Sequence, residues 1–184
     1  MKFCNQCGAS VELRIPPGDS LERHVCRACG TIHYINPKLV IGCVVEWEGD
    51  ILLCRRAIEP CSGLWTLPAG FMEVGESTRE AARRETLEEA CARITIDDLF
   101  ALINIPHIDQ VHIFYRGRLL EAEFAAGAES LETALFGEAD IPWQALAFRS
   151  VALCLKRYFA DRRRGHFTVH EEDMLPPASG HPRG

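Results

Sequence analysis

Residues Gly70–Ala92 read GFMEVGESTREAARRETLEEACA, and Arg84-Glu85-Thr86-Leu87-Glu88-Glu89 within them places three carboxylates in five residues beside an arginine. Glu85 and Glu89 are four apart, so on a helix they share one face, with Glu88 close by. Like charges at these spacings repel and destabilise the helix unless something positive sits among them. Oxygen ligands of this kind suit a hard divalent cation, Mg²⁺ or Mn²⁺. The helix is predicted independently. Ser77 followed by Glu80 is a capping-box signature, and no Gly or Pro falls between Ser77 and Ile94. Gly70 and Gly75 precede it, so the entering loop can take turns closed to other residues. An exposed acidic helix with Arg84 paired to Glu80 or Glu88 would account for the cluster alone, but not for the spacing of the whole segment.

That spacing resembles the Nudix box, with Gly70, Glu76, Arg84, Glu85, Glu88 and Glu89 on its pattern. Thr86 stands where an aliphatic is usual, Cys91 replaces the last glycine, and Ala92 fits the final aliphatic weakly. The resemblance extends over most of the chain through MKFCNQCG, NPKLVIGCVVE, GLWTLPAGFMEVGES, RRETLEEA, AESLE and IPWQALAF. It is to the zinc-ribbon Nudix hydrolases, which include NADH pyrophosphatases, and more narrowly to plant chloroplast FAD pyrophosphohydrolases. The implied fold is α/β, a Nudix α/β/α sandwich with a mixed sheet, preceded by a small zinc ribbon. The implied activity is cleavage of the pyrophosphate bond of FAD, ADP-ribose or NAD(H). By resemblance, Glu85 and Glu89 hold Mg²⁺ or Mn²⁺, Glu88 is a further ligand or positions water, and Arg84 orients the glutamates. A carboxylate outside the box completes such sites; Glu129 is the choice here, ahead of Glu132 and Glu73.

Composition sets the frame. The 184 residues are 47% hydrophobic and 25% charged, as in a globular protein of one domain plus an appendage. A net charge of −6 argues against nucleic acid as a partner. No run of about 18 apolar residues suggests a membrane span, and MKFCNQCGAS lacks the apolar stretch of a signal peptide. Nine cysteines, an odd number, do not suggest a secreted disulfide framework, so the expected setting is the cytoplasm.

Four of those cysteines form Cys4-x2-Cys7 and Cys26-x2-Cys29, the spacing of a structural Zn²⁺ site closed by four thiolates. His24 and His33 flank the second pair and read as incidental. Cys43, Cys54, Cys61, Cys91 and Cys154 read as small buried hydrophobes.

Residues 1–34 are expected to form the ribbon, 35–166 the catalytic domain and 167–184 a flexible tail. Strands are expected over Leu39–Trp47, Ile51–Arg55, Leu99–Ile105 and Gln110–Glu121, helices over Ser77–Arg93 and Arg149–Arg163, and a loop over Gly127–Phe136. Arg162–Arg164 reads as a solvated helix end. Gly70, Glu76, Arg55 and Gln110 are candidates for substrate binding, with Arg56 beside Arg55. Trp65, Phe71, Phe114 and Tyr115 could face a flat ring. The SQPWPFP stretch of NADH pyrophosphatases is absent, its place taken by LINIPHIDQVHIFY, which moves FAD or ADP-ribose ahead; Pro106 keeps ADP-ribose open. The expected partner is a small nucleotide, and a homodimer is open by resemblance. The alternatives are a non-catalytic ligand-sensing or nucleic-acid-binding regulator, and decapping of nucleotide-capped RNA, which would want a basic groove.

Overall fold

The computed structural model describes residues 1–176 and divides into two units, Met1–Pro37 and Lys38 onward. In the first, β1 (Val11–Arg14), β2 (Arg23–Cys26) and β3 (Ile32–His33) form a three-stranded antiparallel sheet.

The second unit is built on an eight-stranded sheet. Its strands are β4 (Lys38–Trp47), β5 (Asp50–Arg56), β6 (Trp65–Thr66), β7 (Ala69–Phe71), β8 (Ile94–Ile105), β9 (Gln110–Leu119), β10 (Ser130–Phe136) and β11 (His170–Asp173). The main path runs β10-β5-β4-β9-β8-β11, with β6 on β5 and β7 on β4. β4 pairs parallel with β9 and β11 parallel with β8; the other pairings are antiparallel, so the sheet is mixed. Helix α1 (Thr78–Ala90) covers one face and α2 (Arg149–Arg164) the other.

Strand periodicity explains the sandwich. Successive side chains point to opposite faces. On β4, Ile41, Cys43 and Val45 join Ala81, Ala82 and Ala90 of α1, while Val44 joins Val151, Leu155, Tyr158 and Phe159 of α2. On β5, Leu52 and Cys54 face α1, and Ile51 and Leu53 face α2. Strands covered on both sides read as continuous apolar runs rather than alternations. The α1 face is lined with alanine, which lets the helix sit close to the sheet.

Three expectations need correction. The loop drawn through Gly127–Phe136 is a strand from Ser130 onward, because Leu135 and Phe136 pack into the clusters on opposite faces. The tail drawn from 167 is ordered as far as 176: His170–Asp173 is an edge strand, Asn104 Nδ2 donates to Asp173 at 2.9 Å, and Met174 enters the core. Residues 177–184 of that expected tail lie outside the described residues. Arg162 and Arg163 are not simply solvated, since both pair with Glu138 and Arg162 also donates to the Gly49 carbonyl. Among the described residues no helix is long and apolar enough to cross a membrane.

Candidate active site

The α1 N-terminus is built as its sequence dictates. Ser77 Oγ accepts from the Glu80 N–H at 3.3 Å, and Glu80 Oε2 accepts from the Ser77 N–H at 2.7 Å, closing the capping box. Gly75, at φ +94, makes the preceding turn. Arg84 then ties the loop to the helix. It donates to Glu76 (2.6 Å) on the loop and the Phe71 carbonyl (3.1 Å) at the end of β7, and to Glu85 (2.6 Å) and Glu88 (3.0 Å) on its own helix. Arg84 beside Glu76 holds that carboxyl down to about 2.

Glu85 and Glu89 are 7% and 6% exposed, whereas Glu88 reaches into solvent. Glu89 Oε2 accepts the Ala69 N–H at 3.0 Å. Burial pushes the Glu89 carboxyl up to about 7, with the Glu85 and Glu129 charges adding to the rise. Burial likewise pushes Glu85 up. Gly70 makes this packing possible: a Cβ there would overlap the Glu85 carboxylate. Glu129 arrives on a loop tied to the end of α1, through Ala125 N–H to Ala90 O (2.9 Å) and Gly127 N–H to Glu89 O (3.0 Å). Four carboxylates therefore share one wall, two of them nearly dry and short of donors. Such a set fits an oxygen-preferring divalent cation. Arg84 bridges Glu85 and Glu88 in this arrangement, so the four do not converge on one point.

The wall forms one end of a cleft of about 1100 Å³. Of the substrate-binding candidates, Gly70 and Gln110 line it, while Glu76 and Arg55 do not. Arg55 turns outward to the Gly63 carbonyl (3.0 Å) and Glu132 (3.5 Å), because alternation on β5 gives the inward position to Arg56. Glu76 is occupied by Arg84. Phe71 and Phe114 line the cleft; Trp65 packs edge-on against Phe136 at 4.8 Å, and the Tyr115 hydroxyl meets Thr78 at 2.6 Å. Glu73 and Glu129 are on the lining, Glu132 and Pro106 are not. The lining also takes His112, Arg149, Ser150 and Met174, which sequence reasoning missed. Alternation from Gln110 along β9 would have found His112; the others enter only through α2 and β11.

In the first unit the four cysteine sulfurs lie within 4.8 Å of one another. The Cys4–Cys29, Cys7–Cys26 and Cys7–Cys29 sulfur separations are 3.7, 3.4 and 3.5 Å. A tetrahedron with Zn–S near 2.3 Å needs about 3.8 Å between sulfurs. The Gln6 N–H points at Cys4 Sγ (3.3 Å), and the Ala28 and Cys29 N–H groups at Cys26 Sγ (3.4 Å each), donors that favour thiolates. The Cys29 thiol is lowered to about 6, chiefly by the Thr31 hydroxyl. His33 is not incidental: it is buried, with Nε2 3.3 Å from Cys4 Sγ.

A zinc-ribbon family described as Nudix N-terminal matches residues 2–35, and the NUDIX domain family matches residues 36–150. The chain belongs to the Nudix family. A Nudix hydrolase crystal structure from Nitrosomonas europaea is 52% identical, covers 95% of this chain and 100% of that one, and has a TM-score of 0.90. An ADP-ribose pyrophosphatase structure from Streptococcus suis is 26% identical over 74% of this chain and 99% of that one, at a TM-score of 0.58. The NAD-capped RNA hydrolase NudC of Stutzerimonas stutzeri is 28% identical over 178 residues, 95% of this chain; the chain spans 60% of that relative's length. The expected Nudix sandwich and N-terminal zinc ribbon are thus both present, and the four carboxylates of the acidic wall lie within the residues that match the NUDIX domain.

Proposed function

We propose that this Nudix domain hydrolyses the P–O–P bond of a dinucleotide-type substrate (FAD, ADP-ribose or NAD(H)) and releases two monophosphates. One observation carries the reading: the dry pair Glu85 and Glu89, with Glu88 and Glu129, opens onto a cleft of about 1100 Å³ whose lining also offers apolar faces for a ring, among them Ile105, Ile108 and Phe114. Glu85 and Glu89 would hold Mg²⁺ or Mn²⁺, helped by Glu129. When bound, such an ion offsets the phosphate charge and lowers the pKa of a bound water. Arg84 fixes the glutamate rotamers, and Arg56, rather than Arg55, faces the phosphates. Glu88, the exposed member of the set, takes the proton as water oxygen joins one phosphorus and the bridging oxygen departs with the other phosphate. Cys4, Cys7, Cys26 and Cys29 hold a structural Zn²⁺. The partner is a small nucleotide.

The test is a panel of FAD, NADH, NAD⁺, ADP-ribose and a dinucleoside polyphosphate with Mg²⁺ or Mn²⁺, scored by monophosphate release. Turnover of none of them overturns the reading. Glu85→Gln keeps shape and removes charge. Its kcat should fall by more than the roughly 10–100-fold typical of losing an outer-shell partner of a metal site, with an unchanged melting profile; full activity would remove Glu85 from the site. The NudC relatives support a second substrate with the same scissile bond, so an NAD-capped oligonucleotide belongs in the panel.

A further inference from the structure

Away from the acidic wall, the cleft contains a buried hydrogen-bond chain. Gln110, His112 and Phe114 are alternate residues of β9 and share its cleft face. His112 is 8% exposed; its Nδ1 lies 3.1 Å from Ser150 Oγ and its Nε2 lies 2.9 Å from Gln110 Oε1. Ser150 is 2% exposed and sits in the first turn of α2, whose N-cap, Phe148, provides no side-chain cap.

Donor and acceptor arithmetic gives this chain one direction. The positive end of the α2 dipole beside Ser150 disfavours an imidazolium and disfavours an N–H pointing toward it. The ring is therefore neutral, in keeping with a pKa lowered by burial to about 4. Its Nδ1 is an acceptor, and the Ser150 hydroxyl donates to it. Its Nε2–H donates to Gln110 Oε1. A neutral imidazole has one donor and one acceptor, and both are used. The bond from His112 fixes the amide of Gln110: its Oε1 is turned to the imidazole and its NH₂ group, with two hydrogens, is turned away from it.

Gly70 and Ile113 both pair with Ile41 of β4, so Gln110 lies two strands and three residues from Gly70, roughly 14 Å by strand and residue spacing. A group read by Gln110 is thus separated from the phosphates by a spacer, as a sugar separates a ring. Val40, Ile105, Ile108, Phe114 and Met174 supply apolar walls for that ring.

We propose that Gln110, positioned by His112 and Ser150, makes this site select a ring with two adjacent hydrogen-bond acceptors over one that sets an amine beside its acceptor. The inference rests on the hydrolase reading above. A 6-oxopurine meets the requirement with O6 and N7, and a flavin meets it with O4 and N5. Adenine sets its N6 amine beside both N1 and N7, so an amide held with its NH₂ group forward meets a donor. A freely turning glutamine would lack this bias, because it could offer its carbonyl to the amine.

The test compares IDP-ribose with ADP-ribose, which differ at purine position 6, and adds FAD. Wild type should favour IDP-ribose in kcat/KM by roughly 5- to 150-fold, the discrimination of one good bidentate contact. In Gln110→Glu one oxygen stays on His112 and the other faces the cleft as an acceptor, so the preference should invert. In His112→Phe the amide turns freely, and the ratio should fall toward one, a change that general loosening of the site would not produce. A wild-type ratio near one, or an unchanged ratio in Gln110→Glu, overturns the proposal. FAD turnover that falls in Gln110→Glu along with that of IDP-ribose identifies the flavin as a ring read here; unaffected FAD turnover identifies the 6-oxopurine. Turnover of none of the three, nor of NADH, NAD⁺ or a dinucleoside polyphosphate, defeats the hydrolase reading instead. The same ratio, from calorimetric Kd values for IDP-ribose and ADP-ribose, then decides ring selection separately.

Discussion

Cys91 closes α1 in the left-handed region, at φ +47, in place of the glycine of the Nudix pattern. A side chain there costs about 1–2 kcal/mol. Cys91→Gly removes that strain but loosens the unfolded chain by about 0.4–1 kcal/mol. The variant should therefore gain roughly 0.5–1 kcal/mol in urea unfolding of the second unit; equal or lower stability would show the strain is relieved elsewhere. Thr86, the other departure, is harmless for a visible reason: fully buried, its hydroxyl donates to the Ala82 carbonyl at 2.8 Å. His112 carries a pH dependence. Burial lowers its pKa to about 4 when folded, against about 6.5 when unfolded. Between these values the unfolded chain binds the proton and the folded chain does not. The stabilising contribution is complete above about 6.5 and is lost as pH falls through about 4, by up to about 3 kcal/mol. The stability advantage of wild type over His112→Asn should therefore narrow steadily from pH 7 to pH 4 in denaturant titrations. A constant gap would mean that the imidazole takes up its proton over the same pH range in the folded and unfolded chain.

At the scale of elements, the α1 C-terminus and the loop before β10 act together. That loop satisfies two carbonyls that the helix end leaves free and brings Glu129 to the acidic wall. Gly127 permits the approach, since a Cβ there would overlap the Glu88 carbonyl oxygen. Gly127→Ala must push the loop outward at a cost of about 1–3 kcal/mol. Displacing Glu129 by an ångström should lower kcat by about 10²-fold, while Glu85 and Glu89 stay in place. Unchanged kcat alongside a reduced melting temperature would show that Glu129 does not serve the reaction. This coupling also marks the limit of legibility. α1, its cap and its glutamates stand in local sequence, because capping and i, i+4 spacing are local. β4 and β5 show as apolar runs. The strand HEED does not: an edge strand needs backbone partners and one anchor, Met174, so its four residues are all polar and show no apolar alternation even though their burial alternates. Arg55 and Arg56 were indistinguishable until the pleat of β5 chose between them. Ser150 joins His112 only through the packing of α2, which no local pattern encodes.

For the molecule as a whole, the two units are held by different physics. Both apolar clusters of the second unit draw every member from Ile41 onward, so its core is complete without the first 37 residues. The first unit buries little beyond Val25, Cys4, Cys26 and His33. A unit of fewer than about 40 residues rarely folds on apolar burial alone, and structural zinc contributes on the order of 10–16 kcal/mol in comparable peptides. Chelation should therefore unfold the first unit and leave the second folded. Thiol titration provides the measurement. Cys43, Cys54 and Cys154 are buried, and burial raises their pKa values further, so they should stay silent in native protein with or without chelator. Cys4, Cys7, Cys26 and Cys29 should become reactive together as one zinc ion per chain is released. The melting transition of the second unit should not move. If those four thiols react one at a time before chelation, or the second unit melts along with the first, then the sulfurs do not share an ion and the two folding energies are not separate.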